Sequence, residues 1–378
     1  MESYAQRGLL PAGLRDALPP AAEWEAAVGE RLLACLAGHG YQRVKPPLVE
    51  FEATLLAGAG AKLAPQTFRL MDPVSQRMMG VRPDITLQVA RIAETRLADA
   101  PRPLRLSYMG QVLRVKGTQL RPERQFAQVG LELIGAATRA ADIEVATLAA
   151  EALAEIGVPN ASIDLCEPTL VPAVCRGLKL DDATAEAVRA ALDQKDAAAL
   201  KAAAGKDAKL LEPLLRLAGP AAEVGPKLLQ LDLPAEGRTM LADLVAVADA
   251  VRKAVPGILV TIDAAEARGF EYQTGVSFTL FARGVRGELG RGGRYDSGGV
   301  EPSSGFTLYL DSVIRALPAP AAARHLYISH GTPRAAAKAQ RGEGWRTVQG
   351  LEPVADGRAE AKRLGCSHVL IDGRIEEV

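Results

Sequence analysis

Hydrophobic positions in this chain follow two spacings, and each change of spacing marks a change of element. Trp24, Val28, Leu32, Cys35 and Leu36 recur as one face of an amphipathic helix, which Gly38 and Gly40 end. Residues 41–51 then read as a strand running into Pro46-Pro47, and prolines place such a strand at a sheet edge or end. Residues 69–81 read as a hairpin, and Arg82-Pro83-Asp84 opens a helix with Ile85, Val89 and Ile92 on its apolar face. Between Val112 and Gly135 two strands flank a highly charged loop. In the second strand Val129, Leu131 and Leu133 share one face while Gln128, Gly130 and Glu132 share the other. An amide and a carboxylate over a glycine offer a floor to a small polar cation.

Further on, residues 141–156 form an Ala-rich helical pattern closed by Gly157. From about 178 to 252 short helical patterns rich in Ala, Leu, Lys and Asp are separated by Gly and Pro, as at Ala218-Gly219-Pro220 and Val224-Gly225-Pro226. This stretch reads as a helical insert between two apolar strands, 162–166 and 258–263. Pro318-Ala319-Pro320 reads as a linker, and the remaining tail alternates strands at 325–329, 346–349 and 368–371 with helices around 335–340 and 359–364. The order predicts an α+β fold, an antiparallel sheet flanked by helices. Its expected domains are 1–317, with the insert at about 178–256, and a short α/β domain at 321–378.

Composition narrows the class. The 378 residues are 48% hydrophobic and carry 45 basic and 45 acidic side chains, so the net charge gives no gross footprint for nucleic acid. Apolar runs are broken by charges well before 18 residues and the amino terminus lacks a basic-then-apolar leader, which predicts a cytoplasmic protein with no membrane contact. Cys35, Cys166, Cys175 and Cys366 lack CxxC spacing, and the four histidines do not cluster with them. Free thiols are expected, with no metal and no cofactor.

Three further segments set glycines beside charged and aromatic residues in strand-like sequence: Arg82-Pro83-Asp84-Ile85-Thr86, Arg268-Gly269-Phe270-Glu271-Tyr272-Gln273-Thr274-Gly275, and Gly292-Gly293-Arg294-Tyr295-Asp296. Taken singly they have bland readings. Asp84 reads as a helix cap as readily as a ligand, Arg121 and Arg124 read as solvated loop residues rather than a phosphate clamp, and Gly292-Gly293 reads as a turn.

In order along the chain, however, Pro11-Ala12-Gly13-Leu14-Arg15-Asp16, Gly40-Tyr41 with Pro47, Val81-Arg82-Pro83-Asp84-Ile85-Thr86, the 112–135 hairpin, Arg268-Gly269-Phe270-Glu271-Tyr272, Gly293-Arg294-Tyr295-Asp296 and Gly305-Phe306 resemble histidyl-tRNA synthetase over about residues 8–317. The resemblance implies a class II aminoacyl-tRNA synthetase fold that self-associates, as a dimer or higher, around the Pro47 region. It also implies a pocket for free histidine built from Asp84, Thr86, Arg114, Gln128, Glu132, Arg268, Tyr272 and Tyr295. In such a pocket Asp84 and Glu132 would neutralise an ammonium, Gln128 and the tyrosines would bond the imidazole or ammonium, and Arg114 or Arg268 would receive a carboxylate.

The activation machinery of such an enzyme is not matched. Lys116 stands where the family's second motif has a glutamate, Pro122 takes a usually basic position, Ser312 replaces the phosphate-binding arginine of the third motif, and Tyr309 replaces a small glycine. Losing a charge-assisted bond costs about 1.5–3 kcal/mol, and losing several at a transition state removes most activity. The tail after Pro320 is about half of an ordinary small domain, too short for tRNA recognition. A pocket kept without this equipment is similar to the regulatory subunits of ATP phosphoribosyltransferase. That resemblance implies a non-catalytic protein with no catalytic residues of its own. It would join a short-form catalytic chain in the first step of histidine biosynthesis and bring feedback inhibition by free histidine. Two alternatives stand beside it, a divergent active histidyl-tRNA synthetase and a synthetase-like paralogue for another amino acid. Two departures fall in the pocket itself: Gln273 stands where the second of two adjacent tyrosines is usual, and Asp84 is a methylene shorter than the usual glutamate.

Overall fold

Burial follows the two spacings closely. In the helix Ala21–Gly38, Val28, Leu32 and Leu36 are fully buried while Trp24 and Cys35 lie at the margin. Residues 41–51, expected as one strand, form two: β1 (Gln42–Arg43) and β2 (Val49–Phe51), which join different sheets. Pro46 and Pro47 between them cannot donate to a ladder; instead their carbonyls accept from the Arg82 guanidinium, and that of Pro47 also from Gln88. The expected hairpin is β3 (Phe68–Met71) and β4 (Met78–Val81), which with β2 makes a three-stranded sheet.

A computed structural model of the chain describes residues 8–119, 121–267, 273–296 and 301–378. They divide into two compact units, Met1–Pro318 and Ala319–Val378. The first is built on β5 (Leu104–Leu113), β6 (Gln125–Ile134), β7 (Ala161–Cys166), β8 (Ala218–Pro220), β9 (Leu259–Asp263), β10 (Gln273–Ala282), β11 (Gly290–Asp296) and β12 (Pro302–Tyr309), with β1 at one edge. The order is β1-β5-β6-β12-β11-β10-β7-β9-β8. Most neighbours are antiparallel, but β1 runs parallel to β5 and β7 parallel to β9. A parallel pair needs a long crossover, and the helical insert is that crossover for β7 and β9. Ala218-Gly219-Pro220, expected as a helix separator, is the edge strand β8. Likewise Gly292-Gly293 is not a turn but the middle of β11, where a Cβ at 292 would run into Phe278 and the Gly305 carbonyl.

The sheet has two unlike faces. Val129, Leu131 and Leu133 of β6 lie in the main core with the helices Ala21–Gly38 and Arg139–Ile156, the latter closed by Gly157 in the left-handed region. The insert has no separate core, since Val188, Leu192, Leu200, Leu211 and Leu228 join the same cluster. The other face carries a smaller cluster, Ile85, Val89, Leu106, Tyr108, Phe126 and Tyr309, under the helix Thr86–Thr95. That helix roofs the face on which Gln128, Gly130 and Glu132 stand.

The second unit has its own sheet, β14-β13-β15-β16, made from β13 (His325–Ile328), β14 (Arg346–Gln349), β15 (His368–Ile371) and β16 (Arg374–Glu377). Its first three strands are parallel and are joined through the helices Arg334–Gly342 and Gly357–Arg363. Sequence reasoning missed β16, whose Arg374, Glu376 and Glu377 hide a strand behind charge. Among the described residues no helix is long and apolar enough to cross a membrane.

Leu131 is fully buried in the main core. Leu131→Ala should therefore lower unfolding stability by about 2–5 kcal/mol, read from urea midpoints at unchanged m-value. A loss under about 0.5 kcal/mol would mean that β6 does not pack as described.

Candidate functional site

Register builds the site. On the polar face of β6, Glu132 pairs with Gly305, Gly130 with Tyr108 and Thr307, and Gln128 with Gly110 and Tyr309. β11 continues the rows, setting Gly293 beside Gly305 and Arg291 beside Thr307. Gly305 and Gly130 leave a hollow where other residues would fill it: a Cβ at 305 would overlap the Glu132 carboxylate, and one at 130 would overlap the Tyr108 hydroxyl. Over this hollow is a recess of about 50 Å³ lined by Asp84, Thr86, Glu132, Gln273, Tyr295 and Thr307 among others. Asp84, Thr86, Arg291, Tyr295 and Tyr309 also line an adjoining cavity of about 900 Å³, whose wall includes Lys62, Arg114, Lys116 and Arg286. Concave chambers with a few convergent polar groups are the usual form of a small-molecule site.

Glu132 is the centre. Its side chain is 1% exposed, yet both oxygens are hydrogen-bonded: Tyr295 donates to Oε2 at 2.7 Å and Tyr108 to Oε1 at 3.2 Å. Having one proton, the Tyr108 hydroxyl that donates to Glu132 is left to accept, and Thr307 at 2.7 Å and Thr86 at 3.2 Å are placed to donate to it. Burial pushes the Glu132 carboxyl up to about 8, the tyrosine hydroxyls pulling it down and nearby Asp84 pushing it up. Burial, with Glu132 and Asp84 close by, raises Tyr108 well above the ordinary phenol range, so it remains a donor.

Asp84 stands just before the helix Thr86–Thr95, whose N-cap is Ile85. Its Oδ1 accepts from the Thr86 amide at 2.9 Å, an Asx turn at the head of the helix, while the carboxylate lines both chambers. Its Oδ2 accepts from Gln128 Nε2 at 2.7 Å. Gln128 therefore departs from its expected part as a ligand contact: it is fully buried, and with Oε1 taking the Ile85 amide at 3.0 Å it positions Asp84 from behind. Arg114 stands at the rim, donating to the Pro83 carbonyl at 3.2 Å with its outer nitrogen 3.9 Å from Asp84. Thus Asp84, Thr86, Glu132 and Tyr295 converge, with Gln128 and Arg114 flanking them. Arg268 and Tyr272 lie outside the described residues.

Arg121 is not the solvated loop residue it was expected to be. It is 9% exposed, lies over the Tyr309 ring at 3.6 Å, and donates to the Ser312 hydroxyl at 3.1 Å and the Glu288 carbonyl at 3.3 Å. Burial lowers its affinity for the proton without threatening its charge, since Asp311 faces it at 4.0 Å. Arg315 also donates to Ser312, at 3.0 Å, and pairs with Asp311 and Glu123. The arginines around Ser312 are thus engaged with the chain's own groups. Tyr108 and Thr307 were not singled out from sequence; their one signal was Gly130, whose missing side chain makes room for the tyrosine.

A sequence profile of the histidyl-tRNA synthetase family matches residues 13–313. The chain is 58% identical to the ATP phosphoribosyltransferase regulatory subunit of Rhodospirillum centenum over 98% of this chain and 96% of that one. It is 57% identical to the subunit of the same name from Paramagnetospirillum magneticum, with 100% of each covered. Among solved structures it is similar to an ATP phosphoribosyltransferase regulatory subunit/histidyl-tRNA synthetase from Bacillus halodurans C, at 26% identity and a TM-score of 0.79, covering 94% of this chain and 96% of that chain.

The Glu132 geometry has a consequence for stability. Its folded pKa, about 8, lies above the ordinary 4.5, so its contribution is fully present below about 4.5 and is lost as pH rises through 8. Glu132→Gln removes the titration. In chemical denaturation the wild type should lose stability relative to this variant between pH 5 and 8.5, by on the order of a few kcal/mol. A pH-independent difference would contradict the neutral buried acid.

Proposed function

The chain belongs to the family of ATP phosphoribosyltransferase regulatory subunits, within the wider histidyl-tRNA synthetase family, and on that premise we propose that it is the non-catalytic, histidine-sensing subunit of an ATP phosphoribosyltransferase. Its partner is a short-form catalytic chain, which performs the first step of histidine biosynthesis in the cytoplasm, while this chain self-associates through the Pro47 region and brings feedback inhibition.

The observation that carries the reading is an asymmetry between neighbouring parts of one site. Asp84, Thr86, Glu132 and Tyr295 converge on a recess suited to a small cationic amino acid. Beside it, Arg121 and Arg315 are tied to Ser312, Asp311, Glu123 and the Tyr309 ring, where a synthetase needs arginines aimed at phosphates. Asp84 already accepts two hydrogen bonds, and a carboxylate with about four lone-pair sites keeps capacity for an ammonium. Arg114 at the rim suits the ligand's carboxylate. Inhibition then requires only that histidine bind unequally to two states of the assembly, the coupling being the difference between its two binding free energies.

Mixing the chain with the short-form catalytic chain should raise phosphoribosyl transfer well above that of the catalytic chain alone, and histidine should suppress the gain. Glu132→Ala should raise the half-inhibitory histidine concentration about 10- to 100-fold, as expected for a lost charge-assisted bond. Absence of both co-elution and activation would sink the regulatory reading, and histidine-dependent pyrophosphate exchange by this chain alone would replace it with an active synthetase.

A further inference from the structure

Asp142 is a second buried acid, 4% exposed, on the face of the sheet opposite the recess. It meets the recess through β11. Arg294 and Tyr295 are neighbours in that strand, so their side chains leave opposite faces: Tyr295 donates to Glu132, while Arg294 reaches the first turn of the helix Arg139–Ile156. There Asp142 receives both prongs of the guanidinium, Oδ1 accepting from Nε at 3.2 Å and Oδ2 from Nη2. The same Oδ1 accepts from the Ser304 hydroxyl at 3.0 Å, and Ser304 is the β12 residue in register with Arg294. One carboxylate therefore grips two adjacent strands. Its own helix is anchored in turn, capped by the Thr138 side chain and tied through Arg139 to Asp243 of the helix Ala235–Ala254 at 2.6 Å.

β11 needs a hold at this point. β12 pairs with it from Gly290 to Asp296, but on its other side the register with β10 breaks between the Ser277–Gly293 and Gln273–Tyr295 pairs. Gly275, in the irregular stretch, lies so close that a Cβ there would come within 3.1 Å of the Arg294 side chain. We propose that Asp142 is a positioning residue: by holding Arg294 it fixes the end of β11 so that the Tyr295 hydroxyl meets Glu132. A two-pronged charged pair fixes direction as well as charge. Glu132 has around it Tyr295 and Arg291 of β11, Tyr108 of β5, Thr307 of β12, and Asp84 and Thr86 before the roof helix. Asp142 has Arg294 and Ser304, with Glu167 and Asp243 nearby. Of the hydrogen bonds that draw the Glu132 pKa down, that from Tyr295 is foremost. Once the phenol is no longer held, Glu132 should keep its proton to higher pH. Charge alone gives the opposite sign, because Asp142→Asn removes an anion and leaves the Arg294 cation. The hold on Tyr295 stands whatever the recess binds; its effect on affinity rests on the histidine-sensing reading.

Chemical denaturation from pH 5 to 10, with each protein measured against its own Glu132→Gln counterpart, reads the Glu132 proton as the pH at which the stability difference levels off. In wild type that pH is about 8, and in Asp142→Asn it should lie about one pH unit higher. Tyr295→Phe should move it as far, and Asp142→Asn added to Tyr295→Phe should move it no further. Asp142→Asn with Arg294→Gln leaves no buried charge unpaired; it should show the same upward shift and decides the matter where Asp142→Asn does not fold. A levelling pH unchanged or lowered while stability falls, or a further shift beyond that of Tyr295→Phe, would overturn the proposal and make Asp142 a structural anchor only. In calorimetric titration with L-histidine, Asp142→Asn should bind about 3- to 10-fold more weakly than wild type, and affinity equal to wild type would overturn the proposal as well. A wild type that binds no histidine would instead sink the sensing reading and leave the pH comparison to judge Asp142.

Discussion

Burying the carboxyl of Glu132 on the inner face of a β-sheet is the constraint around which the other residues of the site are arranged. An acid 1% exposed must be neutral, paired or hydrogen-bonded. Here two phenols serve it, one from β5 and one from β11, strands separated by β6 and β12. The Tyr108 phenol would not reach without the glycine at 130, nor would the carboxylate fit without the one at 305, and Tyr108 would not hold its direction without the hydroxyls of Thr86 and Thr307. The helix Thr86–Thr95 is tied to the same group through Thr86, and Asp84 is held against it by Gln128. One buried acid thus orders parts of four strands and the head of a helix.

The contrast between the recess and its surroundings follows from how hydrogen bonds are shared out. Around Glu132, donors converge on a group that can exchange its proton for a cation. Around Ser312, cations converge on groups that already belong to the chain. The same sheet therefore carries a polar hollow left open and, next to it, Arg121 and Arg315 bonded to Ser312, with the Tyr309 ring under Arg121 marking the border.

What the sequence made legible was whatever depends on local period. The two faces of β6, the helix Ala21–Gly38, the glycine that closes Arg139–Ile156 and the first three tail strands could all be read from spacing, and the fold class came from motif order. What it hid depends on long-range register. Tyr108 matters because it falls opposite Gly130, and Gly292-Gly293 is a strand because Phe278 and Gly305 press upon it. Arg121 looked solvated because a charged loop is usually wet, yet a ring placed far along the chain lies beneath its guanidinium. Gln128 was legible as a polar residue of the right face, but not as one with both amide ends already occupied. β8 was lost because Ala, Gly and Pro carry no strand propensity, and it exists only as the last rung beside β9.

The two edges of the large sheet limit how this chain can assemble. One is β1, two residues long and followed by Pro46 and Pro47; the other is β8, three residues long and ending in Pro220. Neither offers a free row of amides long enough to template another strand. The large sheet is therefore finished within the subunit at both edges, and any contact made at those edges must run through side-chain surfaces. Those can be complementary to a chosen partner and can loosen when a ligand shifts them, whereas a continuous ladder of main-chain bonds would accept almost any strand and would not readily let go.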